Sequence, residues 1–156
     1  MGLPDFPVEG GCQCGAVRYR LKASPLTVYN CHCKDCQRFS GSASSMSMIV
    51  RDDDLEVLQG ETAVYEKLAD SGRTIGMYFC AHCHGWLWNH PPAPGVVVLR
   101  AGSLDDLDWA APIGNIWTDS KAAWMVIDPA LVNVPGQPAD RQPLFDAWTR
   151  FTGRDA

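Results

Sequence analysis

Seven cysteines carry the chemistry of this 156-residue chain, and none stands outside three short motifs. They run Cys12-x-Cys14, then, after sixteen residues, Cys31-His32-Cys33-x-x-Cys36, then, after forty-three more, Cys80-x-x-Cys83. An odd count excludes a complete intramolecular disulfide framework, and thiols clustered in this way read first as metal ligands. Sulfur tetrahedra in a small protein favour zinc. A structural zinc takes four protein ligands, whereas a catalytic zinc takes three and keeps one position open, so seven sulfurs divide as four plus three. Cys31, Cys33 and Cys36 are close enough in sequence to wrap one ion. In an extended segment Cys31 and Cys33 project to one side and His32 to the other, and a turn brings Cys36 round. The remaining pairs, Cys12/Cys14 and Cys80/Cys83, would tie the N-terminal segment to the central strands.

The neighbours of these motifs are the next candidates. Lys34 and Arg38 can soften the charge of a three-thiolate site or steer an anionic substrate, and Arg38, Ser40 and Ser42 can orient one. His32, His82, His84 and His90 are potential fourth ligands, but surface or supporting roles fit their positions better. No nucleophile–base pair of the serine–histidine kind is visible, so a metal must carry most of any reaction. A thiolate-rich zinc is a weak Lewis acid, which favours activation of a thiol over activation of water. Two other uses of the same residues remain open. One is a non-catalytic zinc-stabilised binding module, its partner surface marked by Trp86, Trp88 or Trp117. The other is a thiol-redox protein working through Cys33 and Cys36.

The elements that must hold these residues read as strands. In the segment 16–22, Val17, Tyr19 and Leu21 alternate with Arg18, Arg20 and Lys22, the period of a half-buried strand. Strand patterns follow at 44–50, 55–60, 62–68, 72–79, 85–90, 96–102 and, as the last one, 121–128, with a turn at Asp70-Ser71-Gly72. Helix is scarce: one or two turns over 34–40, a capping box of Ser103 and Asp106 opening a short turn, and a C-terminal helix over 143–151 behind a proline start. The segment 135–143 reads as a loop. Short strands with few helices predict a mainly β chain.

Composition narrows the function classes. Length predicts one domain, with a core over about 8–130 and a tail over 131–156. The net charge is −5 and lysine and arginine do not cluster, which argues against nucleic-acid binding. No apolar run approaches eighteen residues, so no membrane span is expected. The first residues, MGLPDFPVEGG, lack the basic head and apolar stretch of a secretory signal, so a cytoplasmic location is expected. The oligomeric state is open.

The stretches GGCQCGAVRYRL, CHCKDCQRFSGS, YFCAHCHGWLW, AGSLDD and KAAWM together resemble the glutathione-dependent formaldehyde-activating enzyme family, which includes centromere protein V. The likeness runs from about Gly10 to Trp124. It implies a β-tent (Mss4-like) zinc-binding fold with two zinc ions per chain. By the resemblance, Cys12, Cys14, Cys80 and Cys83 hold a structural zinc, and Cys31, Cys33 and Cys36 hold a catalytic one. It also implies a carbon–sulfur lyase activity that joins a thiol such as glutathione to formaldehyde. One departure stands out: the family's last motif ends C-x-x-C-G, whereas here His84 precedes Gly85, where a glycine would suit the tight turn.

Overall fold

The computed structural model describes residues 2–69 and 72–153, so Asp70 and Ser71 of the expected turn lie outside the described residues. In chain order the elements are β1 (Val8–Gly11), β2 (Arg18–Leu21), β3 (Thr27–Cys31), α1 (Lys34–Ser40), β4 (Ser45–Arg51), β5 (Leu55–Gln59), β6 (Thr62–Leu68), β7 (Thr74–Cys80), β8 (Trp86–His90), β9 (Val96–Arg100), β10 (Gly114–Ile116), β11 (Val132–Val134) and α2 (Gln142–Thr152). The protein is mainly β. β1, β2 and β5 form one sheet, and the other strands form a second in the order β11-β10-β3-β4-β9-β8-β7-β6. Pairing is antiparallel except where β10 lies parallel to β3 and to β11.

The alternation in β2 does what its period dictates: Val17, Tyr19 and Leu21 are fully buried while Arg18 and Arg20 stay half-exposed. The centre of the large sheet is apolar on both faces. Met48, Ile49 and Val50 of β4 pair with Leu99, Val98 and Val97 of β9, and all six are buried. Strands covered on both sides lose alternation and become continuous apolar runs.

Both expected helices form. α1 has Cys33 as N-cap and Gly41 as a left-handed C-cap. α2 begins beside Pro143, ends at Gly153, and buries Leu144 and Trp148, one turn apart, against β3. The Thr27 hydroxyl donates to the Leu144 carbonyl at 3.1 Å, and the Trp148 indole N–H donates to Ser24 Oγ at 3.2 Å. Trp148 is 0% exposed, so Trp148→Ala is expected to cost about 3–5 kcal/mol. Urea denaturation should show this as a lowered midpoint with an unchanged slope.

Two expectations are corrected. Residues 121–128 form a turn and irregular chain instead of a last strand: Trp124 is 74% and Val126 90% exposed, and no strand pairs with them. β-branched and aromatic residues alone do not make a strand when the ladder position beside β10 is already taken by β11. The capping box does not form either. The Ser103 hydroxyl donates back to the Arg100 carbonyl, and Asp106 accepts from the Asp108 N–H as an Asx turn. Among the described residues, no helix is long and apolar enough to cross a membrane.

Candidate metal centres

The fold gathers all seven cysteines into two groups. In each group the sulfurs lie within 4.8 Å of one another. All seven are free thiols.

Cys12 and Cys14 sit in the turn between β1 and β2, while Cys80 closes β7 and Cys83 lies in the turn into β8. The sulfurs of Cys12 and Cys14 are 3.4 Å apart, and those of Cys14 and Cys80 are 3.8 Å apart. A tetrahedron with Zn–S of about 2.3 Å has sulfurs about 3.8 Å apart, so the donor set and its spacing fit a closed metal site. Main-chain N–H groups complete it: Val17 donates to Cys12 Sγ at 3.2 Å, and His82 and Cys83 to Cys80 Sγ at 3.4 and 3.5 Å. Burial pushes the Cys12 thiol up, but the Val17 N–H and the neighbouring thiols outweigh it and bring it down to about 6. The turn after Cys83 places His84 at φ 58, the left-handed region that favours glycine. His84→Gly is therefore expected to stabilise the metal-loaded protein by about 0.5–1 kcal/mol, read as a higher melting temperature.

The second group is built at the end of β3. Cys31 is the last strand residue, Cys33 caps α1, and the first helical turn brings Cys36 back so that its N–H donates to Cys33 Sγ at 3.4 Å. Among the described residues, no histidine or carboxylate joins these three sulfurs. The segment is pinned from outside. The Gln37 amide donates to the carbonyls of His32 at 2.6 Å and Ser120 at 3.0 Å, and Lys34 donates to the same Ser120 carbonyl at 2.8 Å. His32 points away from the sulfurs, but it is buried at 1% exposure and hydrogen-bonds Asn115 Oδ1 at 3.1 Å, so it joins β3 to β10. The Cys33 and Cys36 thiols push Cys31 far up. The Cys31 and Cys33 thiols hold Cys36 well below the usual thiol range, with Ser45 and the Arg100 charge adding to the effect. Three sulfurs this close cannot all be ionised without a cation among them, which again fits a metal.

Of the other candidates, Arg38, Ser40 and Ser42 are exposed, and Ser40 turns its hydroxyl to the Ser44 carbonyl. His82 and His84 are exposed, and His90 packs against the Tyr78 ring in a tilted contact, with centroids 4.9 Å apart. Trp88 is in the core, whereas Trp86 is half-buried and packs with Phe39 and Phe79. Sequence reasoning missed Ser45 and Arg100. Arg100 closes the apolar run VVVLR, where a charged residue reads as the strand's exit to solvent; it is instead 7% exposed and donates to Ser45 Oγ at 3.0 Å. Its signal lies in the register, since Ser45 faces Cys31 across β3–β4 and Arg100 faces Ser47 across β4–β9. A cleft of about 580 Å³ is lined by Arg100, Ser45, Trp86, Phe39 and Cys12. A larger one of about 1110 Å³ reaches Cys33 and is bordered by Lys34, Arg73, Trp117, Arg141 and Phe145.

Comparison with known proteins agrees with this geometry. A curated protein of Halomonas elongata, named "Putative glutathione-dependent formaldehyde-activating enzyme", is 29% identical over 127 residues, which is 78% of this chain and 81% of that protein. A crystal structure of a Rhodobacter sphaeroides protein covers 81% of this chain and 98% of its own, with a TM-score of 0.53 at 18% identity, a likeness of fold. The family model described as glutathione-dependent formaldehyde-activating enzyme matches residues 7–120, and with most of the chain inside that match the protein belongs to this family.

Proposed function

We propose that the chain is a zinc-dependent carbon–sulfur lyase of the formaldehyde-activating type. It would add a small thiol such as glutathione to formaldehyde or a related small aldehyde, with two zinc ions per chain. Cys12, Cys14, Cys80 and Cys83 would enclose a structural ion, and Cys31, Cys33 and Cys36 would hold the catalytic one. The observation that carries this reading is the three-sulfur group, one donor short of a closed site, opening through Cys33 onto the larger cleft.

Zinc at that position would supply acidification of an incoming thiol and polarisation of an aldehyde oxygen. The chain's own residues do the rest. Lys34, Lys67, Arg73 and Arg141 outnumber Asp35 and Asp140 around the cleft, and this excess of positive charge suits a thiol that carries carboxylates. Phe39, from the helix that carries Cys36, packs against Phe79 and Trp86 and so holds α1 to the large sheet. In the reaction the thiol loses its proton, a sulfur–carbon bond forms at the carbonyl carbon, the C=O π bond opens, and a proton ends on oxygen as a hydroxyl.

The test is thiohemiacetal formation from formaldehyde and glutathione, followed by NMR exchange with the metal-loaded protein. An enhanced rate supports the reading, and equal rates with and without protein overturn it.

A further inference from the structure

Arg100 is a buried cation with an incomplete set of partners. It donates from Nη1 to Ser45 Oγ at 3.0 Å and from Nη2 to the Val98 carbonyl at 3.3 Å, and its guanidinium carbon sits 4.0 Å from the centre of the Trp86 ring. Its Nε is buried without a hydrogen-bond partner. Among the described residues, no carboxylate pairs with it; the ion pairs of this protein lie elsewhere. An unpaired buried charge is costly, and a guanidinium does not escape by losing its proton. Ser45, to which Arg100 donates, faces Cys31 across β3–β4, so the strand register sets this charge beside the three-sulfur group.

The four-sulfur group is treated differently. Three main-chain N–H groups meet its sulfurs, against one at the three-sulfur group, and the nearby Arg18 is taken up by Asp105 and Glu9. A buried arginine is thus placed at the group with three sulfurs. Three thiolates around a divalent cation leave one net negative charge, which repels a further anion. Arg100 cancels it, so an incoming thiolate meets a neutral site, and in a dry setting that difference is worth far more than it is in water.

We propose that Arg100 is the positioning residue that makes the three-sulfur centre receptive to an anionic fourth ligand, a small thiolate, acting through Ser45 and through its own fixed charge. This rests on the reading of that centre as an open metal site. It assigns selectivity for thiolate over neutral donors to a residue outside the ligand set.

The experiment loads the full chain with cobalt(II) and titrates it with 2-mercaptoethanol, following the sulfur-to-cobalt absorption band. Metal content and a urea melt are recorded for each variant. Wild type is expected to saturate, Arg100→Met to bind the thiol at least about tenfold more weakly, and Arg100→Lys to recover most of the loss. Arg100→Gln, which keeps a donor for Ser45 without the charge, serves as the second neutral variant should the methionine protein not fold. A neutral variant that is less stable yet binds 2-mercaptoethanol like wild type makes Arg100 a packing residue and overturns the inference, as does a loss that lysine does not restore. A wild-type protein that adds no thiol at all instead sinks the open-site reading, and the inference falls with it.

Discussion

Cys80→Ser is expected to yield a chain that does not reach the folded state at 25 °C. Cys80 is fully buried, ends β7, and accepts main-chain N–H bonds from both His82 and Cys83. It stands 66 residues from Cys14, with its sulfur 3.8 Å away. The four-sulfur group therefore joins the β1–β2 turn of the small sheet to the β7–β8 turn of the large one. Structural zinc contributes about 10–16 kcal/mol to the folding of small zinc-binding peptides. A whole domain is stable by only about 5–15 kcal/mol, so losing a large part of the metal's contribution exceeds what the rest of the fold can supply. Far-UV circular dichroism, tryptophan fluorescence and metal analysis of the purified variant check this. A cooperative melt within a few degrees of wild type would show that the sheets hold together without the ion.

Cys36→Ser is expected to have the opposite profile, an intact fold with the activity gone. Cys36 lies in the first turn of α1, a seven-residue helix without a buried residue, on the half-exposed side of its group. Its loss leaves Cys31 and Cys33, too few to retain zinc against the protein's other thiols. Metal content should fall from two ions to one per chain, with the melting temperature little changed. The catalysed rate of thiohemiacetal formation should drop about a thousandfold, to the solution background, the equivalent of the several kcal/mol a metal supplies to such a transition state. A variant that keeps both ions, or keeps its rate after losing one, refutes the role given to this group.

The cysteine spacing made both groups legible, because thiols are scarce and a tetrahedral ion imposes a short menu of ligand intervals. The alternation of Val17, Tyr19 and Leu21 and the proline start of α2 were legible for similar reasons, being local patterns with local causes. What escaped is non-local. β10 and β11 have three residues each, and the parallel pairing of β10 with β3 and of β11 with β10 leaves no periodic trace in such short runs. Residues 121–128 carry strand-forming side chains and no partner. His32 was legible as turned away from its neighbours' sulfurs, but its burial comes from Asn115, eighty-three residues on. Arg100 escaped for the same reason: its position beside the sulfurs depends on two strand registers, neither of which is written in its own neighbourhood.

The long interval between the two halves of the four-sulfur group has a consequence for biosynthesis. At about 5–20 residues per second, a growing chain displays the Cys12–Cys14 pair for roughly 3–14 s before Cys80 and Cys83 have both left the ribosome. During that interval Cys31, Cys33 and Cys36 emerge first and are the nearest competitors for any ion the nascent pair has captured. In the two-zinc protein proposed above, an ion captured early by the wrong thiols would have to move as translation ends, so scarcity of zinc during synthesis is expected to leave chains with one ion in the wrong place.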